Sequence, residues 1–298
     1  VQSVKRSDGT LRCEAPTAWL LEGPAFTRYR TLVDILGYAH DRDEGLEARE
    51  AVLREPAVRD LLKQRNRQWY WGTPEDIFKW WPRKDTTFWV LGILADFGLT
   101  RRDAAIDRAC EYVLGTQLPS GAFGLRPPPT AYDCFTGVLA AALARLGYSR
   151  DARLKRAYTW LVERQRGDGG FWCKDTGQPG GPREREPSCA LASLWVLSAL
   201  VADPGLVGGK ACRKCADFLL QCWTDRGRIK YAGHDSQIGS GWEKLKYPYT
   251  DYRILHYLDV LSRVPSVRQD ARLVEIARQL IARRDEGGRF RAESVHRV

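Results

Sequence analysis

Three aspartates open apolar stretches of the chain. Asp85 begins "DTTFWVLGILADFG", Asp133 begins "DCFTGVLAAALARLG" and Asp251 begins "DYRILHYLDVLSRV". A carboxyl group at the edge of such a stretch can be buried enough to keep its proton and then donate it, as acid chemistry on a carbon skeleton requires. Asp133, within "TAYDCFTG", is the first candidate for a catalytic acid, with Asp85 and Asp251 at equivalent starts. Around them stand side chains suited to lining an apolar site: Trp71, Trp89, Tyr132, Cys134, Cys189, Trp195, Tyr252 and His256. Their π faces would hold a cation or a hydrocarbon chain. Asp133, Cys134, Cys189 and His256 are also residue types that bind zinc. Buried cysteine serves more often as a small apolar residue, so no cofactor is expected and zinc stands as the alternative. The same holds for Cys212, Cys215 and Cys222, which fall on one helical stripe and read as core.

The elements that must position these groups repeat. "AIDRACEYVLGTQLPSGAFG" and "RLKRAYTWLVERQRGDGGF" each carry an amphipathic helix ending in Gln, with Gly four residues later and Phe two after that. Gln117, Gly121 and Phe123 correspond to Gln165, Gly169 and Phe171. Weaker copies end at Gly227 and at Gly288 and Phe290, the last with Arg284 at the Gln position, and "VRDLLKQRNRQWYWG" is a degenerate earlier one. After each turn comes a loop of variable length and then a more apolar helix, four of them opening near Asp85, Asp133, Ser188 and Asp251. "FTRYRTLVDILG" is a candidate fifth.

A one-sided helix belongs at a surface, whereas one apolar nearly all round must be covered on most sides. A ring of hairpins with apolar helices inside and amphipathic helices outside satisfies both. The expected fold is therefore all-α: a single α/α toroid of about five helical hairpins over residues 1–298, with the repeat between about 50 and 290. The long connections 174–187 and 225–248 lead to inner-helix starts, where functional loops are expected.

The Gln-x-x-x-Gly-x-Phe turn at Gln117 and Gln165 resembles the repeat of squalene-hopene cyclases and protein prenyltransferase β subunits. The resemblance implies that the Gln ties neighbouring helix ends and that the aromatic packs between outer helices. It further implies a central cavity for a lipophilic ligand, with acid chemistry through Asp133. Of the Asp-x-Asp-Asp stretch that cyclases use to protonate an alkene, only Asp133 is matched, flanked by Tyr132 and Cys134. Prenyltransferases bind zinc through Asp, a Cys two positions on and a later His; here Asp133 and Cys134 are adjacent. The residues leave open whether substrate is turned over.

Composition supplies the alternatives. Lys and Arg total 47 against 37 Asp and Glu, a net charge of +10, which favours anionic partners. A non-enzymatic scaffold or nucleic-acid-binding protein using a basic face is thus a second reading, supported by charge alone because no reader motif is present. The longest apolar run, Cys189 to Ala202, is shorter than the roughly 20 residues that span a bilayer, so no transmembrane segment is expected. Without a hydrophobic leader pattern, the expected location is cytoplasmic. The oligomeric state is not legible.

Overall fold

The computed structural model describes residues 14–39, 43–73, 86–125, 130–172, 186–228, 240–246 and 253–293. Asp85, Asp251 and Tyr252 lie outside the described residues. The inner helices are α2 (Ala25–Arg30, continued by a π-helical turn, Thr31–Ile35), α5 (Thr87–Asp96), α7 (Asp133–Leu143), α9 (Ala190–Leu200) and α12 (Ile254–Ser262). The outer ones are α3 (Asp43–Arg54), α4 (Pro56–Lys63), α6 (Ala104–Gly115), α8 (Ala152–Glu163), α10 (Lys210–Thr224) and α13 (Ala271–Ile281). Short helices α1 (Thr17–Leu21) and α11 (Ser240–Glu243) complete the set. A ladder of Gly124–Leu125 against Thr130–Ala131 is the one sheet among the described residues.

Burial separates the two helix types most clearly from α5 to α9, whereas α2 buries only Tyr29. Every residue of α7 is buried, and α5 and α9 are nearly so. Helix α8 instead buries Leu154, Ala157, Tyr158 and Leu161, one stripe at helical spacing. Inner helices pack in ring order, α5 on α7, α7 on α9 and α9 on α12, with α3 on α2, α6 on α5, α8 on α7 and α9, α10 on α9 and α13 on α12. At the α7–α9 crossing, a Cβ on Gly137 would lie 2.8 Å from the carbonyl carbon of Trp195, so only glycine allows this approach. Phe26 of α2 stacks on Phe97 at the end of α5, with ring centroids 4.3 Å apart. The architecture is an α/α toroid of five hairpins.

What sets the outer helices beside one another is a repeated pair of hydrogen bonds. Gln117, just after α6, donates through Nε2 to the carbonyl of Gly121 in its own turn (2.8 Å) and to that of Arg153 at the start of α8 (2.7 Å). Gln165, after α8, does the same to Gly169 and to Ala211 at the start of α10, both at 2.8 Å. Arg284, after α13, donates to Gly288 (2.9 Å) and to the carbonyl of Glu14, just ahead of α1. The third tie joins the last outer helix to the first segment, and Arg289 stacking over Trp19 lies at the same seam.

The turn backbone explains the glycines. Gly121 and Gly169 have φ of 98° and 90°, and a Cβ on Gly169 would lie 2.5 Å from the carbonyl oxygen of Lys214. The degenerate copy proves to hold the same turn with other residues: Trp69 takes the glycine's place at φ 70°, and Trp71 takes the phenylalanine's. Arg65 and Arg108 stack over Trp69 and hold it there.

Ion pairs lace the outer wall. Asp151 and Asp270 cap α8 and α13, each bound by the arginine two residues on, and that arginine holds their carboxyls below the usual range. Arg153 reaches back to Glu111 on α6 and Arg272 to Asp217 on α10, so part of the basic excess is neutralised in place. Replacing Gln165 by Leu strips two carbonyls of their shared donor and should cost about 1–3 kcal/mol, read as a lower urea midpoint at unchanged slope. A midpoint equal to that of the parent chain would show that the tie is incidental.

Candidate active site

Of the described sequence-selected residues, Asp133, Tyr132, Cys134 and Cys189 stand at the starts of α7 and α9, and Trp89, Trp195 and His256 line a cleft further along the inner helices. Asp133 is the first residue of α7, fully buried, and its Oδ1 accepts from Arg164 Nε at 2.5 Å. Arg164 caps the end of α8 and stacks over Trp160. The carboxyl group is therefore engaged in a buried ion pair that joins the start of α7 to the end of α8. Cys189 caps α9 and Cys134 is the second residue of α7. Their helix starts align Cys189 with Tyr132, so the two cysteines do not share one place in successive repeats. Among the described residues no three of His, Cys, Asp and Glu converge as metal ligands.

Trp71 is fully buried in the wall, its indole N–H donating to the carbonyl of Leu61 at the end of α4 (2.6 Å). Its backbone N–H donates to Thr87 Oγ1 on α5 (2.8 Å). The same bond recurs from Phe123 to Thr136 Oγ1 (3.2 Å) and from Phe171 to Ser193 Oγ (2.9 Å). These three hydroxyls inside apolar helices seat each turn aromatic against its inner helix. They were missed in the sequence, although a lone hydroxyl in an apolar run is itself a sign of a buried backbone partner.

Trp89, Trp195 and His256 come together. From α5, α9 and α12 they line one cleft of about 50 Å³, with Gly92, Val138 and Ala141. The cleft lies toward the C-terminal ends of the inner helices, where Asp96, Arg145, Ser198, Asp259 and Arg263 form its rim. Arg145 pairs with Asp96, and Arg263 with Asp259 at 2.9 Å. Asp133 precedes Val138, the first α7 residue on the cleft, by roughly 7.5 Å of helix.

Aromatic side chains fill the ring between these ends. Tyr132 meets Phe135 (4.8 Å between centroids), Phe135 meets Phe88 (5.1 Å), and Phe88 meets Trp89 (4.6 Å). Trp89 then meets Trp195 (5.9 Å), and Trp195 meets His256 (4.4 Å). Among the described residues these rings form a packed file with the cleft at one end.

With this geometry in hand, the comparisons can be placed. The family model of the squalene-hopene cyclase C-terminal domain matches residues 76–265, well over half of the chain. The chain belongs to that family. No curated protein matches it in sequence. Among solved structures, the type II terpene cyclase MstE from Scytonema, in complex with its product merosterolic acid A, aligns at 15% identity with a TM-score of 0.43. That alignment covers 90% of this chain and 71% of the cyclase. Within the matched residues, Asp133 is bound to Arg164.

The cysteines behave as core. Cys212, Cys215 and Cys222 are fully buried on α10, and burial pushes the Cys212 thiol up to about 12. No described helix is long and apolar enough to cross a membrane. Breaking a buried ion pair costs about 3–5 kcal/mol, less where one partner reaches water, and Arg164 is 21% exposed. Asp133→Ala should therefore lower stability by about 2–3 kcal/mol in a urea titration. An unchanged midpoint would contradict a structural role for the pair.

Proposed function

We propose that this cyclase-family ring holds a small lipophilic molecule, or one end of a larger one, against the indole faces of Trp89 and Trp195. The observation that carries the reading is that Trp89, Trp195 and His256, contributed by three different inner helices, line a single cleft. Pockets that enclose a whole drug-sized ligand measure about 300–1,000 Å³, so a cleft of about 50 Å³ takes an end group and not a folded polyene. Indole faces suit an alkene or a carbon skeleton carrying positive charge. In this reading Asp133 is a positioning residue, fixing the start of α7 to the end of α8, because its carboxylate is paired and set back from the cleft. Membership of a cyclase family supports the class of ligand, and the described geometry supports binding ahead of acid catalysis.

Isothermal titration calorimetry with the ten-carbon isoprenoid alcohol geraniol tests the proposal. Saturable binding is expected, weakened at least about tenfold by Trp89→Ala, the equivalent of 1.4 kcal/mol. Trp160→Ala, on the outer wall, should leave the affinity unchanged. No saturable binding, or equal affinity in both variants, would overturn it.

A further inference from the structure

The cleft has a polarity that narrows what can enter it. Trp195 lines it and is 6% exposed, and its indole N–H is buried with no acceptor among the described residues. A buried donor left unmade costs about as much as a lost hydrogen bond, so this N–H favours an occupant that brings an acceptor oxygen. The rim carries two carboxylates and two guanidiniums, Asp96 with Arg145 and Asp259 with Arg263, each acid already paired with its base. A charged ligand would therefore have to compete with an existing ion pair, whichever its sign. Four inner helices also turn their C-terminal ends toward this side, and the dipole there disfavours an anion. The remaining walls are mostly hydrocarbon and indole, Gly92, Ile93, Val138, Ala141, Trp89 and Val260, with the His256 imidazole against Trp195.

Resting on the proposed lipophilic-ligand reading, we infer that the cleft selects a neutral, oxygen-bearing end group, an alcohol or a carbonyl, with the Trp195 indole N–H as donor to that oxygen. Hydrocarbon ends, carboxylates, diphosphates and ammonium groups are the poorer ligands. The π-helical turn Ala144–Tyr148, which follows α7 and holds Arg145, places that guanidinium at the rim, where with Asp96 it closes the polar edge around the oxygen. Trp195 is thus a specificity-determining residue, and Trp89 supplies apolar surface without discriminating between oxygenated and plain hydrocarbon ligands.

A panel of four probes on one carbon skeleton tests this: 3-methyl-2-butenol, its hydrocarbon 2-methyl-2-butene, the matching amine and the matching carboxylate. Affinities come from calorimetry, and the indole N–H resonance of Trp195, assigned by its loss in Trp195→Phe, is followed by ¹H–¹⁵N NMR. The alcohol should bind about tenfold tighter than the hydrocarbon, a difference of 1.4 kcal/mol, and should alone shift the Trp195 resonance downfield. Trp195→Phe should erase the alcohol's advantage while the hydrocarbon still binds. A hydrocarbon that binds as tightly as the alcohol, or a preference for amine or carboxylate, would overturn the inference and leave the lipophilic-ligand reading standing. Saturable binding by none of the four would overturn both.

Discussion

A side-chain N–H group shared between two backbone carbonyls is the contact on which the rest of this molecule depends. Gln117, Gln165 and Arg284 each sit two or three residues beyond an outer helix and bind the turn that follows it and the start of the next outer segment. The bond inside the turn fixes the chain's exit from the helix, and the bond outside it fixes the neighbour's position. One acceptor is a turn carbonyl; for the two glutamines the other is a first-turn carbonyl of the next outer helix, which can accept a second hydrogen bond. In the tied turns, Phe123 and Phe171 reach the hydroxyls of Thr136 and Ser193, as Trp71 reaches that of Thr87 from the earlier turn, and those contacts seat the inner helices. The cleft between Trp89, Trp195 and His256 is a consequence several contacts removed from the glutamines.

This order of causes gives the ring two unlike ends. At the N-terminal ends of the inner helices, Asp133 is consumed by Arg164 and works as a joint between layers. At the C-terminal ends, the wall opens into a small aromatic cleft with a neutralised rim. Between them the file from Tyr132 to Trp195 occupies the space that a larger ligand would need. The fold is that of a cyclase family, while the described interior is packed more like a core than a reaction chamber.

The period of the repeat was legible because Gln, Gly and Phe each answer a separate backbone demand, and two copies keep all three. The earliest copy could not be registered by type, since Trp69 stands at positive φ where glycine is expected and is held there by Arg65 of its own turn and by Arg108 of α6. Apolar helices announced burial, so Trp89 and Trp195 were found, but periodicity carries no information about which end of a ring is open. Asp133 was visible as a carboxylate beside apolar sequence; its partner, 31 residues on, belongs to another helix and no local pattern points to it. Tyr132 is the counterpart of Cys189, each four residues ahead of the hydroxyl, Thr136 or Ser193, that sets the register.

The central claim is that side-chain ties between consecutive outer segments make the ring, and its most exposed instance is the seam between Arg284 and Glu14. Hydrogen–deuterium exchange of the parent chain and Arg284→Ala reads that seam directly. Removing the guanidinium should speed amide exchange across residues 17–30 and in the turn 284–290, while residues 105–170, tied by Gln117 and Gln165, keep their protection. Unchanged exchange in 17–30, or a uniform rise over the whole chain, would contradict the account.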